Sequence, residues 1–149
     1  MGNRRMGLGR LEALLEAVDR DLNLANTTLT SPTITSAAGL SLATETIGAA
    51  GAASITVPVS LVTADGANMA VTLANGTTAG QLKHFIQVTD ANSYKVTPAT
   101  TAGAYTKVTS TLAGDSVTFI WTGSAWAILS RASGAAAGAT AVVGMPIVA

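Results

Sequence analysis

The stretch SVTFIWTGSAWAILS, residues 116–130, decides the fold. Its positions alternate with a period of two, as a strand with one buried face requires. Phe119 and Trp121 share one face of a first strand, Gly123-Ser124 supplies a tight turn, and Trp126 and Ile128 share a face on the return. Rings gathered on one hairpin read first as the core anchor of a β domain otherwise short of bulk. Trp121 and Trp126 read second as a platform for stacking a sugar.

Outward from this hairpin the same period runs back to Ile55. Candidate strands are Ile55–Thr63, Met69–Leu73, Gln81–Val88, Tyr94–Thr97, Thr106–Leu112, Ser116–Trp121 and Trp126–Ser130. Between them lie Asp65-Gly66, Asn75-Gly76, Asp90-Ala91-Asn92, Thr101-Ala102-Gly103 and Gly114-Asp115, each carrying residues that tolerate unusual backbone angles. Short strands at this spacing predict a mainly β protein, with a small antiparallel β-sandwich or jelly-roll-like domain over residues 55–131.

The flanks differ in kind. Leu8, Leu11, Leu15, Val18 and Leu22 step by three and four, an apolar seam that predicts a short α-helix from about residue 10 to residue 24. So short a helix is marginal in water, so residues 1–24 read as an anchoring helix that needs a partner. Eight of the sixteen charged side chains lie between Arg4 and Asp21, with Arg4 and Arg5 before the helix and Asp19 and Asp21 near its end. That order opposes the helix dipole, so these charges answer to a partner. Residues 25–54 read as an extended arm followed by an Ala/Gly-rich linker or docking strip. Residues 132–149 read as an apolar C-terminal tail.

Composition narrows the function. The chain has 149 residues and is 48% hydrophobic, yet it holds only two Phe, two Trp and two Tyr, and 11% charged residues. Soluble domains average ~25% charged residues. A body this poor in bulk and charge is expected to be stabilised partly by association with its own copies or with a larger body. Net charge is zero, which gives no general attraction to nucleic acid or an acidic membrane. Absence of cysteine removes disulfides, thiolate chemistry and Cys-metal sites. No uninterrupted apolar stretch is long enough to span a bilayer, and the acids at Glu12, Glu16, Asp19 and Asp21 argue against a signal peptide.

Catalytic signals are weak. His84 is the single histidine and sits beside Lys83 in a candidate strand, where neighbours face opposite sides. Asp65, Asp90 and Asp115 occupy turn positions that favour Asp for backbone reasons. An enzyme reading, a small polysaccharide hydrolase, needs at least two of Glu45, Asp65, Asp90 and Asp115 to meet in space. No catalytic, metal or cofactor-binding residue is expected.

The order ITVPVSLVTADGANMAVTLANGTTAGQLKHFIQVTD (55–90), YKVTP (94–98) and GDSVTFIWTGSAWAIL (114–129) resembles a small β module of tailed-phage virion proteins. The resemblance rests on the TLANG turn at 72–76, the Gly80-Gln81 strand start, a Phe-containing strand and a G-x-x-W hairpin, over about residues 54–131. It implies a non-enzymatic capsid decoration, cement or head-fibre protein on the virion surface, assembled as a homotrimer. The expected anchor to the major capsid protein, or another virion protein, is Arg4, Arg5, Leu8, Leu11, Leu15, Val18 and Leu22. A receptor- or glycan-binding knob using Trp121 and Trp126 is the other expectation.

Overall fold

The computed structural model describes residues 41–89 and 92–134, and the backbone of Ile147–Val148. The expected helix, the arm and the anchor residues Arg4, Arg5, Leu8, Leu11, Leu15, Val18 and Leu22 lie outside the described residues, as does Asp90. The described strands are β1 (Thr44–Ile47), β2 (Gly51–Ala53), β3 (Val59–Val62), β4 (Met69–Leu73), β5 (Leu82–Gln87), β6 (Tyr94–Pro98), β7 (Val108–Ser110), β8 (Ser116–Trp121), β9 (Trp126–Ala132) and β10 (Ile147–Val148). They form two five-stranded sheets, β1-β3-β5-β8-β9 and β10-β7-β6-β4-β2.

Both sheets are mixed, which corrects the antiparallel, jelly-roll-like expectation. β1, β3 and β5 are parallel in the first sheet, and β2, β4 and β6 are parallel in the second. The chain changes sheet at every step from β1 to β6, so it winds as a flattened coil. Its later turns are in step: Val59 pairs with His84 in one sheet and Val71 with Val96 in the other, 25 residues on in each (59 to 84, 71 to 96). Antiparallel strands complete each sheet, β8 and β9 in the first, β7 and β10 in the second. The turn signals at Asp65-Gly66 and Asn75-Gly76 mark crossings between sheets and not hairpins. A bend that reverses a strand and one that carries it to the opposite sheet call for the same residues.

The sheets also reach back to Thr44, into the stretch expected as linker. Small side chains at Gly51, Ala52 and Ala53 suit a strand lying beside β4. The first candidate strand is shorter than expected, because side chains claim its early carbonyls. Gln81 donates Nε2 to the Ile55 carbonyl, and Lys83 donates Nζ to that of Val57. At the other end, Asp115 Oδ2 accepts the amides of Thr111 and Leu112, which closes β7 at Ser110.

One core cluster joins the inner faces of both sheets. Val62, Phe85, Val117 and Phe119 come from the first, and Val71, Leu73, Tyr94, Val96 and Val108 from the second. Four rings line up through it. Phe85 meets Phe119 edge-on at 6.1 Å, Phe119 meets Trp126 at 6.5 Å, and Trp126 meets Trp121 at 5.3 Å. Trp126 is 0% exposed and donates Nε1 to the Ala74 carbonyl at 2.8 Å. The Trp121 ring fixes a glycine: a Cβ at Gly76 would stand 2.5 Å from it. Trp126→Ala removes the centre of the row. It is expected to cost about 3–5 kcal/mol of unfolding free energy, read as a lower denaturant midpoint. A midpoint equal to the wild type's contradicts this role.

Candidate functional site

Five polar side chains of the body, Ser60, Lys83, Gln87, Ser110 and Asp115, are buried. The alternation of β5 puts Lys83, Phe85 and Gln87 on the buried face and leaves Leu82, His84 and Ile86 on the outer one. A lysine on a core face needs a counter-charge, and β1 provides Glu45. Lys83 Nζ donates to Glu45 Oε1 at 2.7 Å and lies 5.2 Å from the Phe85 ring centre. Ser60 Oγ donates to the same carboxylate oxygen at 2.6 Å, and the Ser54 amide reaches both oxygens at 3.1 and 3.2 Å. Burial alone raises the Glu45 carboxyl, but the hydrogen bonds from Lys83, Ser60 and Ser54, with the Lys83 charge, outweigh it and hold it below its ordinary value. Burial lowers Lys83, and Glu45 offsets part of that.

Asp115 and His84 are also occupied, while Asp65 stands exposed between β3 and β4. Asp115 is 1% exposed; besides closing β7, its Oδ1 accepts the Gly134 amide at 2.8 Å, tying the end of β9 to the β7–β8 loop. His84 pairs through Nδ1 with Thr118 Oγ1 at 2.7 Å, and burial lowers its affinity for a proton. Burial pushes the Tyr94 hydroxyl up to about 12, so it stays protonated. Glu45 and Asp115 therefore serve separate structural networks. Among the described residues, no group of three or more His, Cys, Asp or Glu side chains is placed to hold a metal.

Trp121 is 5% exposed and Trp126 0%, so neither indole presents an open ring face for a sugar. The exposed apolar side chains lie elsewhere. Leu42 and Leu82, 50% and 48% exposed, line an open cleft of about 420 Å³ with Ile55 and Pro58, where β1, β3 and β5 begin. Sequence reasoning missed this cleft and the Glu45–Lys83 pair. The signal for Lys83 was present, since it shares its parity with Phe85 in a period-two strand. Glu45 carried no comparable signal, because only the parallel pairing of β1 with β3 brings it beside Ser60.

Glu45→Gln leaves Lys83 buried without a counter-charge. Breaking a buried pair costs about 3–5 kcal/mol, and the lower end applies because Glu45 keeps some solvent contact. Adding Lys83→Met is expected to recover most of that loss, and denaturant unfolding of both variants checks it. Because the folded state depresses Glu45, its contribution is complete above the ordinary value of 4.5 and disappears as pH falls through the lower folded value. Glu45→Gln is expected to flatten the acid limb of the stability profile, and an unchanged limb would contradict the assignment.

No family model matches the chain, and no curated protein sequence matches it at a significant level. Function is therefore to be read from the chemistry of the residues themselves.

Proposed function

We propose that the chain is a non-enzymatic structural protein of a tailed-phage virion. In this reading the β body is held on the capsid surface by residues 1–24, decorates or cements the shell, and works as an assembly of copies, a homotrimer by resemblance. One observation carries the non-catalytic part. Glu45, Lys83 and Asp115, the residues nearest to a catalytic set, are spent on an internal ion pair and on backbone amides. A hydrolase keeps such groups convergent and open to substrate. The virion part rests on the resemblance of residues 54–131 and on the stripe Leu8, Leu11, Leu15, Val18 and Leu22. The glycan-knob reading loses its support in Trp121 and Trp126, which pack inside the body.

The energetics of the anchor follow from the stripe. Full burial of one Leu or Val is worth roughly 1.5–3 kcal/mol, so five supply a substantial attachment even after ordering costs. Arg4, Arg5 and Arg10 add salt-sensitive contacts to an acidic partner and act on orientation more than strength. The test replaces Leu11, Leu15 and Val18 with Ser and mixes the protein with particles stripped of it. The expected variant keeps the wild-type circular dichroism of the β body and falls to below about a tenth of wild-type occupancy, since losing three buried apolar side chains costs several kcal/mol. Retention at wild-type occupancy moves the anchor out of residues 1–24.

A further inference from the structure

We propose that the outer face of the first sheet is the surface through which copies of this chain pack on one another. The inference deepens the structural-protein reading and rests on it for the expectation of a self-assembled state; the choice of surface comes from the two outer faces. Strand alternation and register place Val59 and Leu61 of β3, Leu82, His84 and Ile86 of β5, and Ile120 of β8 together on the outside of the first sheet. Val59 stands opposite His84, Leu61 opposite Ile86, and Leu82 opposite Ile120. The cleft beside Leu42 continues this face where β1, β3 and β5 begin.

The second sheet is built differently. Its outer positions, Ala70 and Thr72 of β4 and Lys95 and Thr97 of β6, are small or polar, with Thr72 opposite Thr97. Such a face is content in water. The first sheet has Thr44 and Thr46 on its β1 edge and Ser116 and Thr118 on β8, but the patch of Val, Leu and Ile on β3, β5 and the end of β8 is not content in water, and it marks an interaction surface.

Charge selects the occupant. Among the described residues, the outward positions of β1, β3, β5 and β8 carry no Asp, Glu, Lys or Arg. Lys83 and Glu45 share the opposite parity and turn inward. His84, the one titratable group there, is held by Thr118, and burial works against its protonation. A neutral apolar face can turn toward the same face of its copies around a symmetry axis without like-charge repulsion, whether two or three copies meet there. It also has the charge-depleted centre that protein interfaces show. It offers no charge to attract an acidic or basic partner.

Sedimentation of the full chain at tens of micromolar tests this with two charge-matched variants. Leu82→Glu with Ile120→Glu places two carboxylates on the first sheet, and Thr72→Glu with Thr97→Glu places two on the second. Like charges facing each other cost several kcal/mol, so self-association of the first variant is expected to weaken by at least about a hundredfold. The second is expected to assemble as the wild type does. Because the chain has no cysteine, Leu82→Cys and Thr72→Cys each add a single thiol, which covers the case in which the charged variant fails to fold. A short bismaleimide is expected to join copies through position 82 and not through position 72. A monomeric wild type overturns the proposal, as does undiminished assembly of the Leu82/Ile120 variant. A thiol at position 82 that reacts freely in solution and is protected only on particles also overturns it, and assigns the face to the shell. Particle retention in the Leu11/Leu15/Val18 experiment is read separately, so either idea can fail alone.

Discussion

The body is closed by the Trp126 indole. Its Nε1 reaches Ala74 at the end of β4, so one side chain of the first sheet holds the second. Its backbone works at the same point: the amide donates to Thr100, and the carbonyl accepts from Ala102 and from the Tyr105 hydroxyl. These bonds fasten the β6–β7 connection over the ring, while Phe119 and Trp121 hold it edge-on from the hairpin. Val and Ala make up half of the buried apolar residues and fill little of the space between the sheets. The large ring supplies the volume, and its polar atom and backbone fix which loops can lie against it.

The second constraint is electrostatic. In a chain with few charges, burying a lysine is costly unless the partner is preorganised. Here preorganisation comes from topology. The parallel pairing of β1 with β3 sets Glu45 beside Ser60, and the bend before β3 brings the Ser54 amide and the Val57 carbonyl to the same place. The ion pair thus ties β1 to β5, two strands separated in the sheet by β3. It holds the opening turn of the coil, whose second strand, Gly51–Ala53, has only small side chains.

Much of the strand pattern was legible in the sequence, and the topology was not. Met69–Leu73 and Ser116–Trp121 match the expected boundaries, because alternation over five or six residues between turn signals specifies a strand. What alternation does not specify is the partner. The 25-residue step that the register shows does leave a trace: Asp65 and Asp90, Val71 and Val96, Thr72 and Thr97, and Ala74 and Ala99 are identical pairs at that spacing. A repeat of this length points to successive turns of a coil, stacked in parallel, where turn residues alone suggest hairpins. β1 and β2 were hidden for another reason. Thr44–Ile47 is rich in β-branched residues but only four residues long, and Gly51–Ala53 has none, so neither stands out from an Ala/Gly-rich run. At the site, the burial of Trp121 and Trp126 followed from the hairpin pattern, whereas the Glu45–Lys83 pair depended on a strand pairing that no local pattern encodes.

The distribution of charge connects the body to its surroundings. Residues 1–24 carry half of the charged side chains in the chain. Of those in the body, Glu45, Lys83 and Asp115 are committed to internal contacts, and the body as a whole is rich in Thr and Ala. Solubility of a free protein relies on net charge and hydration to keep copies apart. This body has little of the first and, on the outer face of its first sheet, little of the second. Under the proposed structural role such a surface suits a fixed neighbourhood, because contacts between neutral faces carry no electrostatic penalty. Charge is concentrated instead in the segment expected to choose the partner. On the proposed reading, packing falls to the body and selection to one end, as a part assembled once and then kept in place would require.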